Sequence, residues 1–283
     1  MTPATPRTLV RARVRYAKRD RLRFVSAIDL GRLWERALRR ARLPVAYSEG
    51  YTPHPRVSFP DALPLGYASE AEYAEVRFTE AVDPCDLRVR LAEGFGPGIV
   101  PLDVRVVVDG APRLSSLLRG SVWDLRYPAA AAPLLGDAVA AVQAASVLEV
   151  PRTRKQEVSI VDLRPALHLL STDAGDGVAT PTVRATLHHG EPPMRPSEVH
   201  AALARALPDR GALPPFALAT RVAQGRPTNE GLEEALAGTF VPPSPYPTDN
   251  EATFREQRDQ PRGSRDDPPD IRAGAHPPAD PTV

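Results

Sequence analysis

The stretch that organises this sequence is residues 23–75, which read RFVSAIDLGRLWERALRRARLPVAYSEGYTPHPRVSFPDALPLGYASEAEYAE. Its first part carries apolar residues at helical spacing, beginning with Leu30 and Trp34, so that one side of a helix is buried. Ser26 and Asp29 have the spacing of an N-terminal capping pair, and a proline ends the segment. The stretch therefore predicts a capped helix whose arginines turn away from the apolar stripe.

Segments of alternating apolar and polar residues on both sides of this helix predict strands. Residues 9–17 place arginines on one face, residues 56–59 are extended, and residues 72–78 alternate again. A second helix is expected at residues 83–95, which open with Asp-Pro, and a further strand at residues 99–108. The order strand, helix, strand, strand, helix, strand is that of a ferredoxin-like module.

The same order recurs in the second half of the chain, although the residues themselves do not repeat. Its strands are expected near residues 121–127, 148–154, 157–161, 166–171, 183–187 and 216–223, and its helices at 133–145 and 195–207. We therefore predict an α+β protein with two ferredoxin-like (βαββαβ) modules, at residues 9–110 and 111–226. Residues 1–8 are expected to be disordered. So is the Pro- and Asp-rich tail at 227–283, which has too few apolar residues to offset chain entropy.

Composition excludes several classes of protein. Cys85 is the only cysteine among the 283 residues, so this chain can form no internal disulfide and no iron–sulfur cluster held by several of its own thiolates. No apolar run approaches the roughly 20 residues of a membrane span, and no secretory signal is recognised. The P-loop, the dinucleotide-binding glycine motif and the common hydrolase signatures are missing as well. We expect a cytoplasmic protein that is not an autonomous enzyme and does not contact a membrane.

Basic side chains crowd the N-terminal end of the chain, although the net charge is only +1. This asymmetry predicts an anionic partner, RNA first, because each phosphate contact by Arg or Lys adds affinity. The alternative is a solvated helix face in an arginine-rich protein. The candidate binding residues are Arg36, Arg39, Arg40 and Arg56 in the first module and Arg154, Lys155 and Arg164 in the second.

One histidine and several aromatic rings lie close to this basic region in the sequence. His54 stands between two prolines that stiffen its loop, so it could act as an acid or base, contact a ligand or partner, or hold the loop together. Tyr47, Tyr51, Phe59 and Tyr67 could stack on bases. For these four rings, however, ordinary half-buried packing is the favoured interpretation.

Two nearby carboxylates do not indicate a metal site. Glu72 and Glu75 differ in parity along the predicted strand, so they point to opposite faces of the sheet. We expect ion pairs with neighbouring arginines instead, and we predict no bound metal. His54 is left as the only catalytic candidate.

Several segments resemble the signature of an uncharacterised bacterial family whose members are encoded beside, or fused to the C-terminal end of, a radical SAM protein. The segments are SAID at residues 26–29, ERALRRA at 35–41, LPVAYSEGYTPHP at 43–55, ALPLG at 62–66 and VDLRP at 161–165. The resemblance covers roughly residues 9–225. It implies that SAM and an iron–sulfur cluster belong to the partner enzyme, with no cofactor in this chain.

One hypothesis and two alternatives follow for the function. The chain is expected to be a non-catalytic accessory of a radical SAM enzyme that presents RNA, either tRNA or rRNA, for modification. The first alternative is a metal-independent endoribonuclease or RNA-processing protein that uses His54. The second is a protein–protein adaptor whose arginine face meets an acidic protein.

Overall fold

The computed structural model of the protein describes residues 10–61, 63–108, 110–154, 157–174, 178–207 and 211–242. Within these ranges a large, mostly antiparallel sheet and five helices form a mixed α+β fold, which confirms the predicted class. The helices are α1 (Ala27–Arg40), α2 (Pro84–Phe95), α3 (Leu114–Leu117), α4 (Ala132–Ala144) and α5 (Pro196–Arg205). The strands are β1 (Val10–Lys18), β2 (Val57–Ser58), β3 (Ala68–Phe78), β4 (Ile99–Val107), β5 (Gly120–Arg126), β6 (Glu149–Arg154), β7 (Glu157–Asp162), β8 (Leu167–Thr172), β9 (Thr182–His188), β10 (Leu218–Thr228), β11 (Gly231–Glu234) and β12 (Phe240–Val241).

One continuous sheet joins the two halves of the chain, in the order β4-β1-β3-β10-β5-β9-β8. In the first half β1 lies between β4 and β3 and is antiparallel to both, and the short β2 also pairs with β3. In the second half β5 lies between β10 and β9, and β8 pairs with β9. The halves meet where β3 and β10 run parallel, at the pairs Ala68–Thr220 and Ser69–Arg221. Sequence periodicity does not reveal this shared sheet.

The folded chain extends past residue 227, where the sequence predicts a disordered tail to begin. Strand β10 continues to Thr228, β11 pairs with it in antiparallel register, and β12 pairs with β11. Leu232 of β11 is fully buried, which anchors this segment to the sheet. Residues 1–9 and 243–283, which hold the other residues predicted to be disordered, lie outside the described ranges.

Each half has its own apolar core between helices and sheet. In the first core the indole of Trp34 is the central side chain, and its ring centroid lies 5.2 Å from that of Tyr16, 5.8 Å from that of Phe59 and 4.8 Å from that of Phe95. The second core gathers the buried residues of α4 and α5 over β5, β8 and β9. No helix within the described ranges is long and apolar enough to cross a membrane.

The arginines of β1 face away from these helices and form ion pairs within the fold. Arg13 Nε lies 3.1 Å from Glu75 Oε2 on the adjacent strand, and Arg15 Nη1 lies 3.8 Å from Glu234 Oε1 on β11. The hydroxyl of Tyr73 also donates a hydrogen bond to Glu234. Arg13 and Arg15 therefore form ion pairs on the face of the sheet opposite the helices and are not free to bind a ligand.

The junction of the two halves holds a buried ion cluster. The guanidinium of Arg221 donates from Nε and Nη2 to Glu72 Oε1, at 3.2 and 2.6 Å, and from Nη1 to Asp61. The side chains of Arg221 and Glu72 are each only 3% exposed. The guanidinium carbon also lies 5.4 Å from the ring centroid of Trp123. Because Glu72 faces this cluster while Glu75 pairs with Arg13 on the other face, the prediction that the two carboxylates point to opposite faces is confirmed.

Replacing Arg221 with methionine should lower the free energy of unfolding by about 3–5 kcal/mol, because the charge of Glu72 is left buried without its partner. Urea titration followed by far-ultraviolet circular dichroism measures the change.

Arg226→Met is the matched control on the same strand. Arg226 pairs with Glu233 at 2.5 Å, but its side chain is 72% exposed, so losing this surface pair should cost at most about 1 kcal/mol. Equal effects of the two substitutions would show that the buried cluster has no special role in stability.

Candidate functional site

Helix α1 begins and packs as its sequence pattern predicts. The Ser26 hydroxyl oxygen accepts a hydrogen bond from the backbone N–H of Asp29 at 3.1 Å, which satisfies a free donor of the first turn. The apolar stripe is buried against the sheet, and its buried members are Leu30, Trp34, Ala37 and Leu38. The opposite side of the helix is therefore left to solvent, and this side carries the arginines.

Two of these arginines have side chains without a partner within the described residues. Arg36 and Arg39 are exposed and make no hydrogen bond or ion pair there. By contrast, Arg32 pairs with Asp29 at 3.3 Å, and Arg40 Nη1 donates to the carbonyl of Gly94 at 3.4 Å. Arg36 and Arg39 are thus the α1 guanidinium groups best placed to bind an anion from solution.

The loop that follows α1 folds back on itself as a short arm, residues 47–56, which we call the tyrosine arm. Tyr47 and Pro55 form an isolated antiparallel bridge at its base. The backbone N–H of Ser48 donates to the carbonyl of His54 at 2.8 Å, and the N–H of His54 donates to the Ser48 hydroxyl at 3.0 Å. Gly50 has φ of +121°, which favours glycine, so the turn at the tip depends on this residue.

The tyrosine arm lies beside the arginine side of α1. His54 Nδ1 is 3.3 Å from Glu35 Oε1. Glu35 lies on α1 directly before the exposed Arg36. Arg56 Nε donates to the carbonyl of Tyr47 at 3.2 Å, so this predicted phosphate contact also braces the arm. The site therefore combines the free guanidinium groups of α1 with a hydrogen-bonded arm.

His54 itself is an exposed residue in this arrangement. Its side chain is 65% exposed and its ring faces the carboxylate of Glu35. The contact explains how the arm is held against α1, and the sequence does not indicate it because a contact between a loop and a helix has no periodic signal. A catalytic role for His54 stays a prediction.

The four aromatic rings near the site divide into two pairs. Phe59 packs on Trp34 at a centroid distance of 5.8 Å, and Tyr67 packs on Trp123 at 5.5 Å, as ordinary packing predicts. For Tyr51 that interpretation is wrong because the ring is fully exposed, whereas Tyr47, at 45% exposed, is half-buried as predicted.

The candidates of the second half do not join this site through any contact that the structure describes. Arg164 donates from Nη2 to the carbonyl of Leu167 at 2.7 Å and from Nη1 to that of Val142 at 3.4 Å, so it braces β8 against α4. The backbone N–H groups of Arg164 and Leu148 bind the Asp162 carboxylate and hold its pKa below its ordinary value. The side chain of Arg154 and all of Lys155 lie outside the described residues.

Metal ligands do not cluster in the described ranges. No group of three or more His, Cys, Asp and Glu side chains there lies close enough together to hold a metal ion. The chemistry available at α1 and the tyrosine arm is therefore that of guanidinium groups, exposed phenol rings and one imidazole–carboxylate contact.

Comparison with known families places most of the chain in a described family. A family model described as "Uncharacterized protein conserved in bacteria (DUF2344)" matches residues 11–196, well over half of the chain. The matched range includes all of α1 and the tyrosine arm. No curated protein matches the chain.

Arg164→Ala should lower the free energy of unfolding by about 1.5–3 kcal/mol, because hydrogen bonds from a charged group to two backbone carbonyls are lost. Chemical denaturation of the variant measures this loss. Arg39→Ala, which removes an exposed side chain from α1, should change stability by no more than about 0.5 kcal/mol. An Arg164 variant as stable as the wild type would contradict the bracing role.

Proposed function

The chain belongs to a family of uncharacterised proteins conserved in bacteria, and from that premise we propose that it is a non-catalytic accessory protein that binds RNA and presents it to a radical SAM enzyme. The observation that carries the proposal is the exposed side of α1. Arg36 and Arg39 lie there without ion pairs in the described structure, next to the tyrosine arm. Free guanidinium groups of this kind bind phosphate oxygens through charge-assisted hydrogen bonds.

The distribution of ion pairs favours the exposed side of α1 over the arginine-bearing face of β1 as the RNA site. The arginines of β1 are paired with carboxylates inside the fold, so binding RNA through them would require breaking those pairs. Arg36 and Arg39 have no such contact within the described residues, and a phosphate can approach them from solvent. Counterion release on such contacts makes affinity depend on salt.

The strand order supports a description of the chain as two ferredoxin-like modules side by side. The orders β4-β1-β3-β2 and β10-β5-β9-β8 both place the first strand of a half between its fourth and third. Proteins with such sheets often bind RNA on the open sheet face. Here that face is covered in the first half, where Tyr73 packs against Leu114 and Leu118. The proposed RNA site is therefore on the helix side.

The proposed partner supplies the chemistry. The family resemblance noted in the sequence points to a radical SAM enzyme, and SAM with its iron–sulfur cluster is assigned to that enzyme. Cys85 alone could not hold a cluster that several thiolates bind. In this proposal the accessory protein contributes affinity and orientation for the RNA.

The contact between His54 and Glu35 favours one second candidate, a metal-independent endoribonuclease. A carboxylate beside an imidazole can orient it for proton transfer. RNA cleavage by the purified protein that disappears in His54→Ala would support this candidate over the accessory role. If the radical SAM enzyme is still recovered in pull-downs after nuclease has removed the RNA, the result would instead support the protein–protein adaptor, which contacts the enzyme directly.

Arg36→Gln combined with Arg39→Gln should weaken binding to a fluorescein-labelled RNA stem–loop, measured by anisotropy over a range of salt concentrations. Losing two phosphate contacts should reduce the slope of log affinity against log salt by about 1.4–1.8. The fold should be unaffected because both side chains are exposed.

The matched control is Arg119→Gln combined with Arg205→Gln. These two arginines are also exposed and lie in the second half of the chain, so the control removes the same charge from another surface. If both double variants lose affinity equally, or neither loses any, the assignment of the RNA site to α1 is wrong.

A further inference from the structure

The ring of Tyr51 is the most unusual aromatic side chain of the first half. It is fully exposed at the tip of the tyrosine arm and makes no ring or cation contact within the described residues. Phe24 is also exposed, but the guanidinium of Arg23 covers its ring at 4.7 Å. Single exposed apolar side chains are common on protein surfaces, so it is the surroundings of Tyr51, a hydrogen-bonded arm beside the exposed Arg36 and Arg39, that indicate a ligand.

The tyrosine arm presents this ring in a restricted conformation. Ser48 and His54 close the arm with two hydrogen bonds, and His54 holds it against Glu35. The prolines at 53 and 55 fix φ on both sides of the histidine. A ring on a preorganised arm loses little conformational entropy when it binds, which raises affinity.

The charge of the tyrosine arm distinguishes its role from that of α1. The arm carries Glu49 and Arg56, and Arg56 already donates to a backbone carbonyl, so the arm offers little net attraction to phosphate. Arg36 and Arg39 on the adjacent helix do offer that attraction. The two elements are therefore suited to different parts of one ligand, the arm to a flat apolar face and the helix to its phosphates.

We infer that the tyrosine arm binds unpaired bases, with Tyr51 as the stacking platform and Tyr47 as a second ring at its base. This inference rests on the proposed function and narrows its substrate class to RNA with single-stranded or looped nucleotides. Bases inside a duplex stack on each other and expose no face to a protruding ring, whereas unpaired bases can be splayed onto an aromatic side chain. The guanidinium groups of α1 then bind the phosphates of the same strand.

Tyr51→Ala should reduce the affinity for a short single-stranded RNA by about 5- to 150-fold, the range expected for loss of one base–aromatic stack. The same variant should bind the RNA annealed to its complement as the wild type does. It should also match the wild type on an abasic strand of the same length and charge. Tyr51→Phe, which keeps the ring, should retain the single-strand affinity, and Val158→Ala, which shortens an apolar side chain that is 67% exposed on β7, is the control outside the arm.

Tyr51→Trp gives an independent readout. Trp34 and Trp123 are buried, so an indole at position 51 would be the exposed one of the three. Its fluorescence should be quenched by the single-stranded RNA and remain unchanged with the abasic strand.

Two results would overturn the inference and leave the proposed RNA binding in place. One is a Tyr51→Ala variant that binds the single-stranded RNA as tightly as the wild type. The other is a wild-type protein that binds the abasic strand as tightly as the natural strand, since phosphate contacts alone would then account for affinity. A wild-type protein that binds none of the three probes would overturn the proposed function itself.

Discussion

The buried contact of Arg221 with Glu72 lies where the two halves of the chain meet in one sheet. Strands β3 and β10 pair at only two positions, Ala68–Thr220 and Ser69–Arg221, which is a short contact to hold two halves in one sheet. A buried guanidinium requires carboxylate partners at defined positions. Glu72 on β3 and Asp61 before it supply them, and the hydrogen bond from Gln224 Nε2 to the carbonyl of Ala71 at 2.6 Å holds the same junction.

Strand β3 also connects this junction to the proposed site. At its far end, the backbone N–H of Arg77 donates to the carbonyl of Arg56 at 3.0 Å, and its carbonyl accepts from Ala46 at 2.8 Å. These bonds tie the base of the tyrosine arm to the sheet. Trp34 packs α1 onto the same sheet, which turns Arg36 and Arg39 outward. The position of the binding surface thus follows from the packing of Trp34 in the core and from the hydrogen bonds between the tyrosine arm and β3.

Much of the first half could be predicted because its signals are local. The capped helix α1 follows from Ser26 and the apolar stripe, and the opposite orientations of Glu72 and Glu75 follow from strand parity. The shared sheet could not be predicted, because its contacts join residues about 150 positions apart, as between Ser69 and Arg221, and no periodic pattern records such a pairing.

The features that the sequence does not reveal share a physical reason. Whether a tyrosine in a loop packs or protrudes depends on tertiary contacts, so Tyr51 could not be distinguished from Phe59 by spacing. Arg164 lies in a basic segment but binds carbonyls of α4 and β8, which charge counting cannot anticipate. The strands after residue 227 are short and contain little apolar sequence, and their stability comes from pairing with β10.

Ultraviolet crosslinking of the wild-type protein to single-stranded RNA, followed by mass spectrometry of the attached peptides, tests whether the tyrosine arm and α1 bind the RNA. The strongest crosslink should fall within residues 47–56 of the tyrosine arm, with weaker ones on α1. Crosslinks concentrated on peptides of the second half, with none on the arm or on α1, would contradict it.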